Sequence, residues 1–322
     1  MPEAHIDGGT LISKTTPVSP ANPLRPSCPL CRGDNPVVVL CSPRLDGPLL
    51  RCSNCQLHFV VPVVKGKASV VEEMDRLATR ATELELVETK VEEAERPWRE
   101  TMARERLDDL RRFIDRGRLL EVGCSTGEFI GVASEYFATC GVEADARAVR
   151  CAQARGLDCR AGALADAALP AEWFDVAVMY HVIEHFRDPR RELRELDRLL
   201  RPGGHLVIET PDVETIWFRI LGARWRQIIP DHLFFFSRAT LTRLLVEEGF
   251  TVTEIRHVGK SMSLRLFVSR VGRYSRLLAR LGSLLLRIAN LEDWTLRLNL
   301  RDVIRLHAVK SSTRSSSGQT ER

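Results

Sequence analysis

The segment Leu119-Leu-Glu121-Val-Gly123-Cys-Ser125-Thr-Gly127-Glu-Phe129 restricts this chain more than any other: an apolar strand ends in a carboxylate, turns through small residues and runs into a helix. Glycines at such a turn let main-chain amides and a helix start come close to a ligand. The next strand-like run, Thr139 to Val142, ends at Glu143, sixteen residues beyond Gly127. A carboxylate at that tip is placed to accept hydrogen bonds from ribose hydroxyls.

Helices are expected over Arg104 to Ile114, Glu128 to Tyr136 and Ala146 to Arg155, and strands over Leu119 to Val122 and Thr139 to Val142. Helix and strand in turn predict an α/β fold: a Rossmann-like, doubly wound, mostly parallel sheet. Downstream, Asp188-Pro189 opens a helix that reaches Leu200, and Arg201-Pro-Gly-Gly204 turns the chain into another strand. Ser237 and Gly249 bracket a helix from Arg238 to Glu247, and a last strand is expected near Asp302 to Lys310.

Glu121-Val-Gly-Cys-Ser-Thr-Gly127 followed by Gly141-Val-Glu143 resembles the class I S-adenosylmethionine-dependent methyltransferases. The likeness continues through Trp173-Phe-Asp175 to His181-Val-Ile-Glu184-His185 and through Leu199-Leu-Arg-Pro202 to Glu209-Thr-Pro211, covering residues 97 to 260. It implies S-adenosylmethionine as cofactor, with Gly123, Ser125 and Gly127 around the methionine part, Glu143 on the ribose, and Glu121 fixing the loop or meeting the amino group through water. Ser125 stands where many relatives carry a glycine, and Gly162-Ala163 replaces the acidic residue after the third strand; Asp166 is the nearby carboxylate that would take the adenine.

Cys28-Pro-Leu-Cys31 and Cys52-Ser-Asn-Cys55 are separated by twenty residues, a two-knuckle spacing that lets four thiolates converge on one structural zinc. Short strands over Val37 to Leu40 and Leu49 to Arg51, joined through Asp46-Gly-Pro48, complete a zinc ribbon. So small a module draws its folding energy from the metal. It is similar to the N-terminal modules of some bacterial methyltransferases acting on sugars and secondary metabolites. The chain therefore divides into a disordered leader (1–26), a zinc ribbon (27–63), a linking helix (64–96), a methyltransferase domain (97–310) with a helical insertion (263–298), and a disordered tail (311–322).

A net charge of +4 is too small to mark a nucleic-acid binder, and between Leu24 and Pro62 only Arg25, Arg32, Arg44 and Arg51 are basic. Residues 263–298 carry seven arginines against Glu292 and Asp293. Val271, Tyr274, Leu278, Leu281, Leu285 and Ile288 recur there at steps of three and four, predicting one amphipathic helix. It would pack on the enzyme or a twin subunit, or touch anionic membrane. With no secretory signal and no apolar run of about eighteen residues, the chain is expected in the cytoplasm, with peripheral contact at the inner membrane face through 263–298.

Methyl transfer needs an aligned nucleophile and, for a hydroxyl, a base. His181, His185 and His232 are the candidates, with Asp231 as partner to His232. Glu184-His185 with Asp231-His232 also resembles part of the metal-binding pattern of small-RNA 2′-O-methyltransferases, His181 standing where that pattern has a carboxylate. The leading expectation is O-methylation of a small-molecule, sugar or lipid-linked acceptor. The alternatives are an RNA methyltransferase gripping RNA with its ribbon, and a non-catalytic zinc-ribbon scaffold.

Overall fold

The structure, a computed structural model, describes residues 26–61, 98–272, 275–292 and 294–311. All but the last residue of the expected leader, the linking helix and most of the expected tail lie outside the described residues. Strands β1 (Pro36–Leu40), β2 (Leu49–Cys52) and β3 (His58–Val60) precede helix α1, described over 98–110. The central unit then runs β4 (Gly117–Val122), α2 (Glu128–Ala133), β5 (Phe137–Glu143), α3 (Ala146–Ala154), β6 (Cys159–Ala161), β7 (Phe174–Tyr180), α4 (Pro189–Leu199) and β8 (Leu200–Pro211). It closes with α5 (Ile216–Leu221), β9 (Phe234–Phe235), α6 (Arg238–Glu247), β10 (Phe250–His257), β11 (Lys260–Ser263), α7 (Leu264–Val271), α8 (Arg276–Ile288), β12 (Thr295–Leu298) and β13 (Val303–Lys310).

Seven strands form the main sheet in the order β10-β13-β8-β7-β4-β5-β6. The run from β8 to β6 is parallel, and β13 is antiparallel to both of its neighbours. The expected doubly wound, mostly parallel sheet is therefore present. Its strands are apolar on both faces because both are covered. Leu119, Val176, Val178 and Val207 pack with Ala103, Leu107 and Leu110 of α1 and with Phe129, Ile130 and Val149. The alternate residues Leu120, Ala177, Met179, Leu206 and Ile208 pack with Leu193, Leu196 and Leu199 of α4 and with Leu241, Leu244 and Leu245 of α6.

Several boundaries differ from the sequence expectation. Helix α2 stops at Ala133, short of Tyr136. The Arg201 to Gly204 turn is absorbed into β8, whose pairing with β7 is irregular between Phe174 and Val176 while Gly203 takes φ +74°. The predicted single helix around 267–288 is two, because Gly272 follows α7 and Ser275 caps α8 by accepting from the Leu278 amide. Helix α6 begins and ends as expected, with reciprocal Ser237 and Thr240 bonds before it and Gly249 at φ +93° after it.

The ribbon does not stand apart as a separate module. β3 pairs antiparallel with β9, joining β1, β2, β3 and β9 in one sheet. Cys28, Leu30, Leu50, Leu57 and Phe59 share a core with the β4 and β7 residues of the main sheet. Arg190 of α4 donates to the Leu30 carbonyl at 2.6 Å.

Candidate active site and cysteine cluster

The strand order reverses between β4 and β7, so the loops that follow them lead to helices on opposite faces of the sheet and leave a crevice. A cavity of about 240 Å³ lies there. Glu121, Gly123, Ser125, Tyr180 and His181 form its floor, and Trp98, Arg99, Met102 and Arg106 of α1 form a wall. The glycine loop needs its glycines: Gly123 takes φ +75°, and a Cβ there would come within 2.4 Å of Val182 Cγ2. Ser125 adopts φ +48° without being glycine. Its amide donates to Glu143 Oε2 at 3.0 Å, while the Asp145 amide donates to Oε1 at 2.9 Å, so the β5 carboxylate ties the loop down.

Gly127 sits behind the loop at φ +86°, its missing Cβ 2.5 Å from Leu157 Cδ1. Asp166 lies on the short 3₁₀ turn Leu164–Ala167 after β6, exposed to solvent. Glu121 is buried, and its Oε2 has no hydrogen-bond partner among the described residues. Burial pushes its carboxyl up to about 8, against the opposing pull of Arg106. A buried carboxyl with one unpartnered oxygen, on a residue that lines the cavity, fits the ammonium of an amino-acid moiety, and it supports S-adenosylmethionine at this place.

His181 follows β7 at φ +60°, a strained conformation for a non-glycine residue. Its Nδ1 is 3.2 Å from Glu184 Oε1, and its Nε2 is 3.2 Å from Glu209 Oε1. Glu184 also accepts from Thr210 Oγ1 at 2.9 Å. Burial raises both carboxyls, but His181 holds Glu184 down, and Arg106 and Arg305 hold Glu209 well below the usual carboxylate range. Arg106 donates to Glu209 at 2.7 Å and lies over the Tyr180 ring at 4.2 Å. Arg305 donates to Glu209 Oε2 at 3.0 and 2.5 Å and to Asp109 at 2.6 Å.

His185 and His232 stand outside the cavity lining, their rings 4.8 Å apart and edge to face. Asp231, expected to orient His232, instead offers its main-chain oxygen to His185 Nδ1 at 2.9 Å. A carbonyl only accepts, so His185 Nδ1 carries the hydrogen and Nε2 the lone pair in the neutral ring. Burial lowers His232 to about 4, and its buried Nδ1 has no hydrogen-bond partner among the described residues. Glu184, His185 and His232 offer ligand atoms all within 4.8 Å of one another, a donor set able to hold a metal ion.

The second cluster is the cysteine tetrad. Cys28 Sγ is 3.5 Å from Cys55 Sγ, Cys31 Sγ is 3.4 Å from Cys52 Sγ, and all four lie within 4.8 Å of one another. Zinc–sulfur bonds of about 2.3 Å in a tetrahedron set sulfurs roughly 3.8 Å apart. The tetrad therefore fits that ion. Burial opposes ionisation of Cys52, but amides of Cys55 and Asn54 and the neighbouring thiols bring it down to about 7.

Sequence reading singled out neither Arg106, Glu209 nor Arg305 for the site. A charge inside an apolar strand run was the available signal for two of them, Glu209 after Val207-Ile208 and Arg305 between Ile304 and Leu306.

A family model described as a methyltransferase domain matches residues 93–255. The fold is that of a class I S-adenosylmethionine-dependent methyltransferase. The chain belongs to the methyltransferase domain family. A probable S-adenosylmethionine-dependent methyltransferase of Mycolicibacterium smegmatis is 33% identical over 139 residues, 42% of this chain and 52% of that protein. A ubiquinone biosynthesis O-methyltransferase of Parvibaculum lavamentivorans is 35% identical over 121 residues, 34% of this chain and 46% of that one. The matched segment thus spans about half the length of these relatives. The solved structure of a SAM-dependent methyltransferase from Archaeoglobus fulgidus has a TM-score of 0.48 at 19% identity, covering 67% of this chain and 97% of that chain.

Proposed function

We propose that the chain methylates a hydroxyl on a small-molecule, sugar or lipid-linked acceptor, using S-adenosylmethionine, with His181 as the base at the acceptor. The observation that carries this reading is that one cavity is lined by the glycine loop and by His181 together. When bound, the cofactor supplies an electrophilic methyl group on a sulfonium. The Gly123 to Ser125 loop would hold its amino-acid part, Glu121 its ammonium, and Glu143 its ribose, with Asp166 as candidate on the adenine side. Glu184 orients the His181 ring through Nδ1, and Nε2, which lies 3.2 Å from Glu209 Oε1, would turn to the acceptor when that contact gives way, Glu209 keeping Arg106 and Arg305 as partners. The ubiquinone biosynthesis O-methyltransferases among the relatives point the same way by their names.

The cysteine tetrad would carry a structural zinc, because four thiolates close its coordination and leave no position for substrate. A second reading rests on the buried, unpartnered Nδ1 of His232 beside Glu184 and His185: a divalent ion held there would bring its own charge against Glu184, the carboxylate on His181. Manganese titration of the protein and of His185→Ala separates the two, since the metal reading requires binding that the variant loses.

The test of the main reading is calorimetric binding of S-adenosylmethionine and S-adenosylhomocysteine to the zinc-loaded protein and to Glu143→Ala, followed by an acceptor screen. With an acceptor in hand, His181→Ala is expected to lower the single-turnover rate by roughly 10²–10⁴-fold. An unchanged rate removes His181 as base; no cofactor binding by the unaltered protein removes the enzyme reading and leaves a scaffold.

A further inference from the structure

Helix α8 turns its amphipathicity the wrong way round for a helix of a globular core. Leu277, Leu278, Leu281, Leu284, Leu285 and Ile288 recur at steps of one and three, so they form one stripe, and each is 50 to 75% exposed. The side that packs is the small one. A Cβ on Gly282 would lie 2.9 Å from Val268 Cγ1 of α7, and one on Gly272 would lie 3.3 Å from Ala279 Cβ. Helix α7 thus takes the small-residue face of α8, and the large aliphatic face is left outward. Trp294, beyond the helix, is 67% exposed. Helix α5 also presents exposed Ile216 and Ile220, and its Trp217 Nε1 donates to the Leu300 carbonyl, after β12, at 2.9 Å.

We infer that this face of the insertion docks on a lipid bilayer bearing anionic headgroups. The charge around it selects that occupant. Residues 263–291 contain six arginines and no aspartate or glutamate; Arg276, Arg280 and Arg287 on α8 are exposed, and Arg287 lies 3.4 Å from Glu292 just beyond that segment. Two copies meeting through the same stripe would bring Arg276 and Arg280 of each together, with Glu292 already beside Arg287. Lipid phosphates supply the missing anions, and the aliphatic stripe enters between the headgroups. At 13 residues α8 is about 20 Å long, shorter than a hydrocarbon core of about 30 Å. No described helix is long and apolar enough to cross a membrane, so α8 lies along the surface.

The docked face is mechanically close to the cavity. Ser261 of β11 donates to Glu105 of α1, and Arg297 of β12 lies 4.0 Å from the same carboxylate. Helix α1 is the wall that supplies Trp98, Met102 and Arg106 to the cavity. Docking therefore sets that wall at the bilayer, where a lipid-linked acceptor would be presented. The docking stands whichever acceptor is methylated; only that last link rests on the proposed reaction.

The test is vesicle flotation of the full chain with phosphatidylcholine alone and with about 30% phosphatidylglycerol added. Flotation is expected with the anionic vesicles, weak with the neutral ones, and reversed near 1 M salt, where the Debye length is about 3 Å. Leu281→Asp with Leu285→Asp should abolish it. Arg276→Gln with Arg280→Gln and Arg287→Gln should weaken it roughly a hundredfold, about fivefold per arginine. All five positions are exposed, and S-adenosylhomocysteine binding by each variant checks that it folds. No flotation with anionic vesicles, or equal flotation with neutral ones, overturns the inference. So does a stable dimer in solution that the double Asp variant dissociates, because the face would then belong to a second copy.

Discussion

Glu121 carries the sharpest consequence at the scale of single residues. Its carboxyl is pushed up to about 8 by burial, so near neutral pH the ligand-free site holds mostly the uncharged acid. Pairing with the cofactor's ammonium requires the carboxylate. The sign follows: affinity for S-adenosylhomocysteine tightens as pH rises from 6 to 8, by at most about tenfold per unit, and a proton is released on binding. Calorimetry in buffers of different ionisation enthalpy measures both, and Glu121→Gln should flatten the profile. A pH-independent affinity in the unaltered protein would sink the assignment of Glu121 to the ammonium. That Glu121, Gly123, Ser125 and Glu143 come close together was legible because a single strand–turn–helix and the strand after it carry them all. Arg106, Glu209 and Arg305 were not, since their meeting depends on β13 lying beside β8 and on α1 crossing the sheet.

Among the elements, the pairing of β3 with β9 gives the cysteine tetrad a route to the site. His58 and Phe59 pair with Phe235 and Phe234, the Val60 amide donates to the Leu233 carbonyl at 2.8 Å, and the Leu233 amide donates to the Glu184 carbonyl at 2.9 Å. The ribbon thereby holds the segment carrying His232 against the turn carrying Glu184 and His185. Cys52→Ser should loosen that segment and leave the glycine loop alone. Amide exchange at 231–236 is expected to rise and the transfer rate to fall, while S-adenosylhomocysteine affinity stays within about threefold. Loss of cofactor binding in step with the exchange would mean that the ribbon supports the whole domain and not this segment. The strands of the main sheet and the capped helix α6 were legible from period and punctuation. The join between ribbon and domain was not, because Phe234-Phe235 reads as a loop until a partner strand reaches it, and the break between α7 and α8 rests on a glycine that the apolar spacing runs straight across.

For the molecule as a whole, buried imidazoles set the response to acid. His58, His232 and His307 are each lowered to about 4, chiefly by burial, and His205 is lowered by burial and by Arg201. An imidazole whose folded value lies below its unfolded value of about 6.5 is protonated in that interval only in the unfolded chain. Its contribution to stability is full above 6.5 and is lost as pH falls towards 4. Glu121 acts in the opposite direction, since with a folded value of about 8 it holds a proton that the unfolded chain releases above about 4.5. The imidazoles outnumber it, so unfolding takes up protons and stability falls from pH 7 to pH 5. With partly exposed His205 counting for less, a net uptake of one to two protons corresponds to roughly 1–3 kcal/mol per pH unit at the steepest part. Below the ordinary carboxylate range the loss continues, because Glu184 and Glu209 are depressed in the fold and must be protonated against His181, Arg106 and Arg305. Urea midpoints measured at pH 7, 6 and 5 decide it: a steady fall agrees with neutral buried imidazoles, whereas a constant midpoint would mean that they are already charged in the fold or are reached by water.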